Sequence, residues 1–162
     1  MFDFITFSLD KRLFAIPLEQ LNKVIRAVAV TPVPDAGAII HGVFDYHGEV
    51  MPVINLRKRF DMPLKKISTS DHFLLVDSGK HHFALVVDKV DEIKNIAQHE
   101  ISEVELSSPL ADQAGKQDRS VKTFLRNENG ITIIYDLELL VNSEVEIQLN
   151  ELTELLKVEG SV

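Results

Sequence analysis

The chain has 162 residues, no cysteine, 45% hydrophobic and 26% charged residues, and a formal charge of −8 at pH 7. That length suffices for one ordinary domain, or for two small halves packed closely, without disulfide or metal staples. Thiolate chemistry is excluded, and the acidic balance does not suit nucleic acid as a partner.

The amino end, MFDFITFSLDKR, has no basic n-region, long apolar stretch or small-residue cleavage site. No run approaches the roughly 18 apolar residues of a membrane span. The expected location is therefore the cytoplasm, without direct membrane insertion. Period-2 alternation in short runs, with turn signals every ten or so residues, predicts a mostly β protein. The first strand covers residues 4–9, the Asp10-Lys11-Arg12 turn follows, and a second strand covers 13–16. After Pro17, Leu18 and Leu21 have helical spacing, and residues 24–30 read as a third strand. A proline-rich loop then delivers the chain into GVFDYHGEVMPVINLRKRF, from Gly42 to Phe60. This stretch reads as strand, tight turn at His47-Gly48, strand and short helical turn. Gly48 supplies a positive φ without steric cost, and Pro52 removes a ladder donor, which places its strand at an edge or a bulge. The basic run Arg57-Lys58-Arg59 reads as a solvated turn.

Beyond a polar connection the pattern begins again. FDFITFSLDKRLFAIPLEQLNKVI and DHFLLVDSGKHHFALVVDKVDEIK superimpose without a gap at a shift of about 69 positions. Phe4 falls on Phe73, Phe14 on Phe83, Ala15 on Ala84 and Val24 on Ile93. GITIIYDLELLV repeats the central strand and its exit at a shift of about 81, Leu137 answering Leu56, so about a dozen residues are inserted between Gln98 and Ser120. The expected organisation is a domain over 1–141, of two five-stranded barrel-like halves at about 2–66 and 71–141, and a C-terminal helix over 143–158. SEVE from Ser143 is a capping-box pattern, and Val145, Leu149, Leu152 and Leu156 form an apolar stripe.

The sequence offers no constellation for catalysis. Six histidines (His41, His47, His72, His81, His82, His99) make no HExxH or comparable ligand pattern. There is no nucleophile elbow, GxGxxG or Walker loop. Asp88, Asp91 and Glu92 read as solvated hairpin residues. No catalytic, cofactor or metal residue is expected; two barrels without such groups present surfaces.

The central stretch resembles the core signature of the CheW-like chemotaxis coupling proteins. Gly42, Gly48, Pro52, Val53, Asn55, Leu56, Arg57 and Phe60 stand where that family carries the like, and FALVVDKVDEI from Phe83 is similar to its second-half signature. The resemblance spans about residues 2 to 141 and implies two SH3-like five-stranded β-barrel subdomains. It also implies a non-enzymatic adaptor joining methyl-accepting chemoreceptors to the histidine kinase CheA, associated with receptor arrays through these partners. The receptor-facing positions it implies are Val24, Ile25, Arg26, His47, Val86, Val87 and Val90. The kinase-facing positions are Val43, Phe44, Tyr46 and Gly48. Two departures bear on receptor docking: Val24 stands where the family commonly has Glu, and His47 where it usually has Arg. A divergent scaffold of a pilus or second-messenger array is the rival reading, and a histidine-based metal-dependent hydrolase is the rival from another class.

Overall fold

The computed structural model describes residues 2–106, 120–127 and 130–159. In chain order the first elements are β1 (Phe2–Leu9), β2 (Arg12–Pro17), a 3-10 turn (Leu18–Gln20), β3 (Leu21–Arg26), β4 (Ile40–Tyr46), β5 (Glu49–Ile54) and the short helix α1 (Leu56–Arg59). There follow β6 (His72–Asp77), β7 (His82–Val87), β8 (Lys89–Ile96), a second 3-10 turn (Gln98–Glu100), β9 (Ile101–Leu106) and β10 (Ser120–Asn127). The chain ends with β11 (Gly130–Ile134), α2 (Leu137–Leu140) and α3 (Ser143–Glu159). β3 lies earlier than the apolar run 24–30 suggests. Leu21 already pairs with Val76, and beyond Arg26 the chain leaves β6 for β4. There Thr31 and Val43 exchange both backbone hydrogen bonds, at 2.8 and 2.9 Å, and close a barrel. Gly42 permits that closure: its φ is 152°, and a Cβ there would overlap the Thr31 carbonyl. Pro52 lies just before β5 joins β7 at Val53, in a stretch paired on the β4 side only.

Strands β3-β6-β7-β5-β4 form the first barrel, and β8-β1-β2-β11-β10-β9 form the second. The expected division at 2–66 and 71–141 therefore does not separate the barrels. The β1–β2 hairpin belongs to the second barrel, where β2 runs parallel to β11, and the β6–β7 hairpin belongs to the first, where β7 runs parallel to β5. A repeat fixes which strands are alike, not which copy they pair with. The repeat itself holds in register. Ile5 faces Ile93 as Leu74 faces Val24, and Ala15 faces Ile134 as Ala84 faces Val53. The insertion contributes β9, a sixth strand beside β10, and its residues 107–119 lie outside the described ones.

The equivalence extends to packing. Phe73, Ala84 and Val53 lie in the small core of the first barrel, and their counterparts Phe4, Ala15 and Ile134 in that of the second. The largest core lies between the barrels and draws on both copies: Ile5, Phe7, Phe14 and Ile16 with Leu74, Val76, Phe83 and Leu85. Phe14 stacks on Phe7 and Phe60 at 5.8 and 5.1 Å, and Phe60 stacks on Tyr135 at 4.6 Å. Helix α3 covers this core, burying Val145, Leu149 and Leu152. Its cap is Asn142 rather than Ser143, because Asn142 Oδ1 accepts the Val145 N–H at 3.0 Å.

A polar clamp crosses the same junction. Arg57, on α1 and only 7% exposed, donates two hydrogen bonds to Asp10 in the β1–β2 turn, at 2.7 and 2.9 Å. It donates a third to Asp88 at 2.6 Å, where the chain passes from β7 of the first barrel to β8 of the second. Asp10 N–H also reaches Asp88 at 2.8 Å, and Arg57 bonds the Pro63 carbonyl at 3.0 Å. The clamp holds a turn in which Asp10 and Lys11 both take positive φ, 50° and 78°. Lys65 extends the network to Asp71 at 2.9 Å and Asp88 at 3.6 Å. Arg59 donates to the carbonyls of Leu140 and Leu139, at 2.8 and 2.9 Å, at the C-terminal end of α2. The solvated-turn reading thus fails for Arg57 and Arg59, and the solvated-hairpin reading fails for Asp88.

Charge follows geometry. Hydrogen bonding from Arg57 lowers the Asp10 pKa against a smaller cost of burial. Burial alone would raise that of Asp88, but the Asp10 N–H and Arg57 outweigh it and the net shift is downward. Hydrogen bonding to Asp10 raises the Arg57 pKa, and hydrogen bonding to Asp71 raises that of Lys65.

Phe14→Ala and Phe83→Ala each remove a ring from the shared core and should each cost about 3–5 kcal/mol in urea unfolding; a cost confined to one of them contradicts equivalence. Depressed carboxylate pKa values stabilise the fold fully above the ordinary value of 3.8, and that contribution is lost as the pH falls through the lowered folded values. Arg57→Met should therefore destabilise at neutral pH, and its deficit should shrink well below pH 3.8.

Candidate interaction surfaces

The β4–β5 hairpin projects from the first barrel. Tyr46 pairs with Glu49, leaving His47 and Gly48 as a two-residue turn at φ 51° and 89°. Turns with both central residues left-handed match the right-handed twist of the flanking strands. Asp45 Oδ1 accepts the Gly48 N–H at 3.0 Å, and the His47 ring meets Tyr46 edge-on at 4.4 Å. Asp45, His47, Gly48, Glu49 and Val50 face solvent, with Val50 at 48% exposure. Beside them His82 stands between two carboxylates, Nδ1 3.4 Å from Glu49 and Nε2 3.1 Å from Asp77. The surface is therefore an acidic and imidazole-bearing rim around an exposed valine.

The residues implied as receptor-facing divide sharply. Arg26 and His47 are exposed, and Val24, Ile25 and Val90 are half-buried. Val86 is 9% exposed and Val87 fully buried, so neither presents a side chain to a partner. Their strand β7 lies between β6 and β5, with Val86 in the first barrel's core and Val87 in the shared one. β3 and the β4–β5 hairpin stand at opposite ends of the strand order, and the Thr31–Val43 bridge brings the chain beyond β3 round to β4. Among the implied kinase-facing residues, Phe44 is buried in the first barrel. Val43 packs partly on the shared core, Tyr46 partly on the first barrel's core, and Gly48 is exposed. Alternation along β4 is the reason: Phe44 points to one core and Val43 to the other. Val50, which sequence reasoning passed over, is the exposed apolar residue of this hairpin; its alternation with buried Met51 was the available signal.

The histidines do not converge. His41 is partly buried, which lowers its pKa, and Nδ1 of His72 is buried without a hydrogen-bond partner among the described residues. Nε2 of His81 lies 3.3 Å from Glu146 of α3. Among the described residues no three His, Cys, Asp or Glu side chains are arranged to hold a metal. None of the described helices is long and apolar enough to cross a membrane.

A first groove, of about 900 Å³, opens at the end of the first barrel between residues 27–32 and 64–69. Val28 and Leu64 stand exposed on it, at 47% and 65%, with Lys65 and Lys66 alongside. Its floor includes His41 and Asn55, and Asn55 Oδ1 also caps α1 by accepting the Lys58 N–H at 3.1 Å.

Comparison with known proteins agrees with this architecture. Residues 3–145 match the CheW-like domain. The chemotaxis protein CheW of Bacillus subtilis is 29% identical over 140 residues, covering 86% of each chain. That of Treponema pallidum is 23% identical over 147 residues, covering 88% of this chain and 84% of its own. FrzA of Myxococcus xanthus is 26% identical over 139 residues, with 85% and 84% covered. The crystal structure of the scaffolding protein TtCheW from Thermoanaerobacter tengcongensis superimposes with a TM-score of 0.74 at 22% identity, over 89% of this chain and 94% of that one. The chain is a member of the CheW-like domain family.

Proposed function

We propose that this protein is the adaptor that couples methyl-accepting chemoreceptors to a CheA-type histidine kinase, acting in the cytoplasm beneath receptor arrays. The observation that carries the reading is the CheW-like match from residue 3 to 145, which spans both barrels and the junction between them. CheW-like proteins are chemotaxis scaffolds rather than catalysts, and the work of a scaffold lies in its surfaces. The kinase surface is assigned to the β4–β5 hairpin, with Tyr46, Gly48 and Val50 as its accessible part, half-buried Val43 beside them and buried Phe44 as their support. The receptor surface is assigned to Val24, Ile25, Arg26, His47 and Val90, with Val86 and Val87 fixing the strand behind them. A helical receptor tip would be held by apolar anchors and oriented by a polar rim.

His47 and Val24 bear on partner choice. Arginine at the turn offers a permanent charge in a planar fork of donors, whereas histidine offers at most two donors. A less charged receptor tip is the matching partner.

The assignment is tested by capture of a purified CheA regulatory domain. The wild-type chain should bind, and Val50→Asp should weaken capture about tenfold with unchanged thermal unfolding. No capture by the wild type sinks the adaptor reading, and unaltered capture by the variant moves the kinase surface elsewhere. For the receptor, His47→Arg with Val24→Glu should favour a tip of ordinary charge by more than the two single changes summed; additive effects at equal salt would mean that these positions do not set partner choice together.

A further inference from the structure

The two barrels differ at one end. In the first barrel, residues 63–68 leave α1 and run across the end formed by the exit of β5, the end of β7 and the start of β6. Ile67 packs on the barrel core there, and Lys65 reaches both Asp71 and Asp88. Ser68 N–H adds a bond to Asp71 at 2.8 Å. Between this strap and the barrel only about 10 Å³ of free space remains, bordered by Asn55, Ile67, Asp71, Val86 and Asp88, and the first groove opens beside the strap, toward residues 27–32.

The repeat places Asp136, Phe2, Pro17 and Glu19 in the second barrel where Asn55, Asp71, Val86 and Asp88 stand in the first. The equivalent of the strap does not cross that end. After α2 the chain enters α3, which turns back over the shared core, Gln148 accepting the Ile39 N–H at 3.0 Å. Among the described residues, the end of the second barrel is consequently an open groove of about 1000 Å³. Phe4, Leu18, Ile101, Ile134 and Leu139 line it, and Phe2 stands at its edge with 48% exposure. Asp3, Glu19 and Asp136 supply carboxylates around it.

We propose that this groove docks an extended, lysine-bearing apolar segment of a partner protein, laid across the second barrel as residues 63–68 lie across the first. The occupant's chemistry follows from the internal counterpart and from charge. An aliphatic side chain takes the place of Ile67 over Phe4 and Ile134, and a lysine takes the place of Lys65 toward Glu19 and Asp136. Among the described residues the chain's own copy of such a segment is already engaged on the first barrel, and the occupant is assigned to another molecule. This surface is separate from the β4–β5 hairpin, and its use does not depend on kinase capture.

The probe is a synthetic peptide of residues 62–70, MPLKKISTS, added to the isotopically labelled full-length protein and followed by NMR. Saturable shifts are expected at Phe2, Ile134 and Leu139, with little change at Val28 and Leu64. Glu19→Lys, at an exposed position, should weaken binding about tenfold, and a peptide carrying Lys65→Glu and Lys66→Glu should not bind. The proposal is overturned by no saturable shift at this end of the barrel, by equal binding of both peptides, or by concentration-dependent shifts at these residues without peptide, which would assign the groove to self-association.

Discussion

The aromatic stack of Phe7, Phe14, Phe60 and Tyr135 lies between the barrels, in a core to which each half of the chain contributes the inward face of a hairpin. Hairpin exchange makes that core obligatory. β1 and β2 cannot leave the second barrel without withdrawing Ile5, Phe7 and Phe14 from contact with the first barrel's Leu74, Val76 and Phe83. Neither sequence half contains a complete sheet, so the barrels have a fixed relation that a flexible linker would not give. For a scaffold this is the useful property: surfaces on the two barrels are held at a set distance and orientation.

The Arg57 clamp marks the place where that relation is pinned. One guanidinium meets a turn from the second barrel and the β7–β8 crossover, and its planar fork suits the two Asp10 oxygens better than a lysine would. Lys65 then ties the strap over the first barrel to the same carboxylate, Asp88. Arg57, Arg59 and Lys65 thus serve internal architecture, and carboxylates remain at the surface on the hairpin, on α3 and around the groove of the second barrel.

Much of the fold was legible because strand periodicity and a gapless repeat are local signals. Phe4 with Phe73 and Phe14 with Phe83 were paired by sequence, and they occupy like environments. Pairing partners were not legible, since alternation along β1 says which side is apolar but not which neighbour supplies the next strand. The same limit explains the site. Phe44, Val86 and Val87 lie in segments that family resemblance assigns to contacts, yet a strand between a barrel core and the shared core can be apolar and buried on both faces. Asp10 and Asp88 looked like turn residues because their partner, Arg57, is distant in sequence. Val50 was readable from alternation alone.

Hairpin exchange makes the two barrels one cooperative unit. Native-state hydrogen exchange in rising urea tests it directly. The amides of Phe7 and Phe14 in the second barrel and of Leu74 and Leu85 in the first should converge on one opening free energy with one denaturant slope. Exchange of either barrel's set through a cheaper opening with a smaller slope, while the other stays protected, would contradict it.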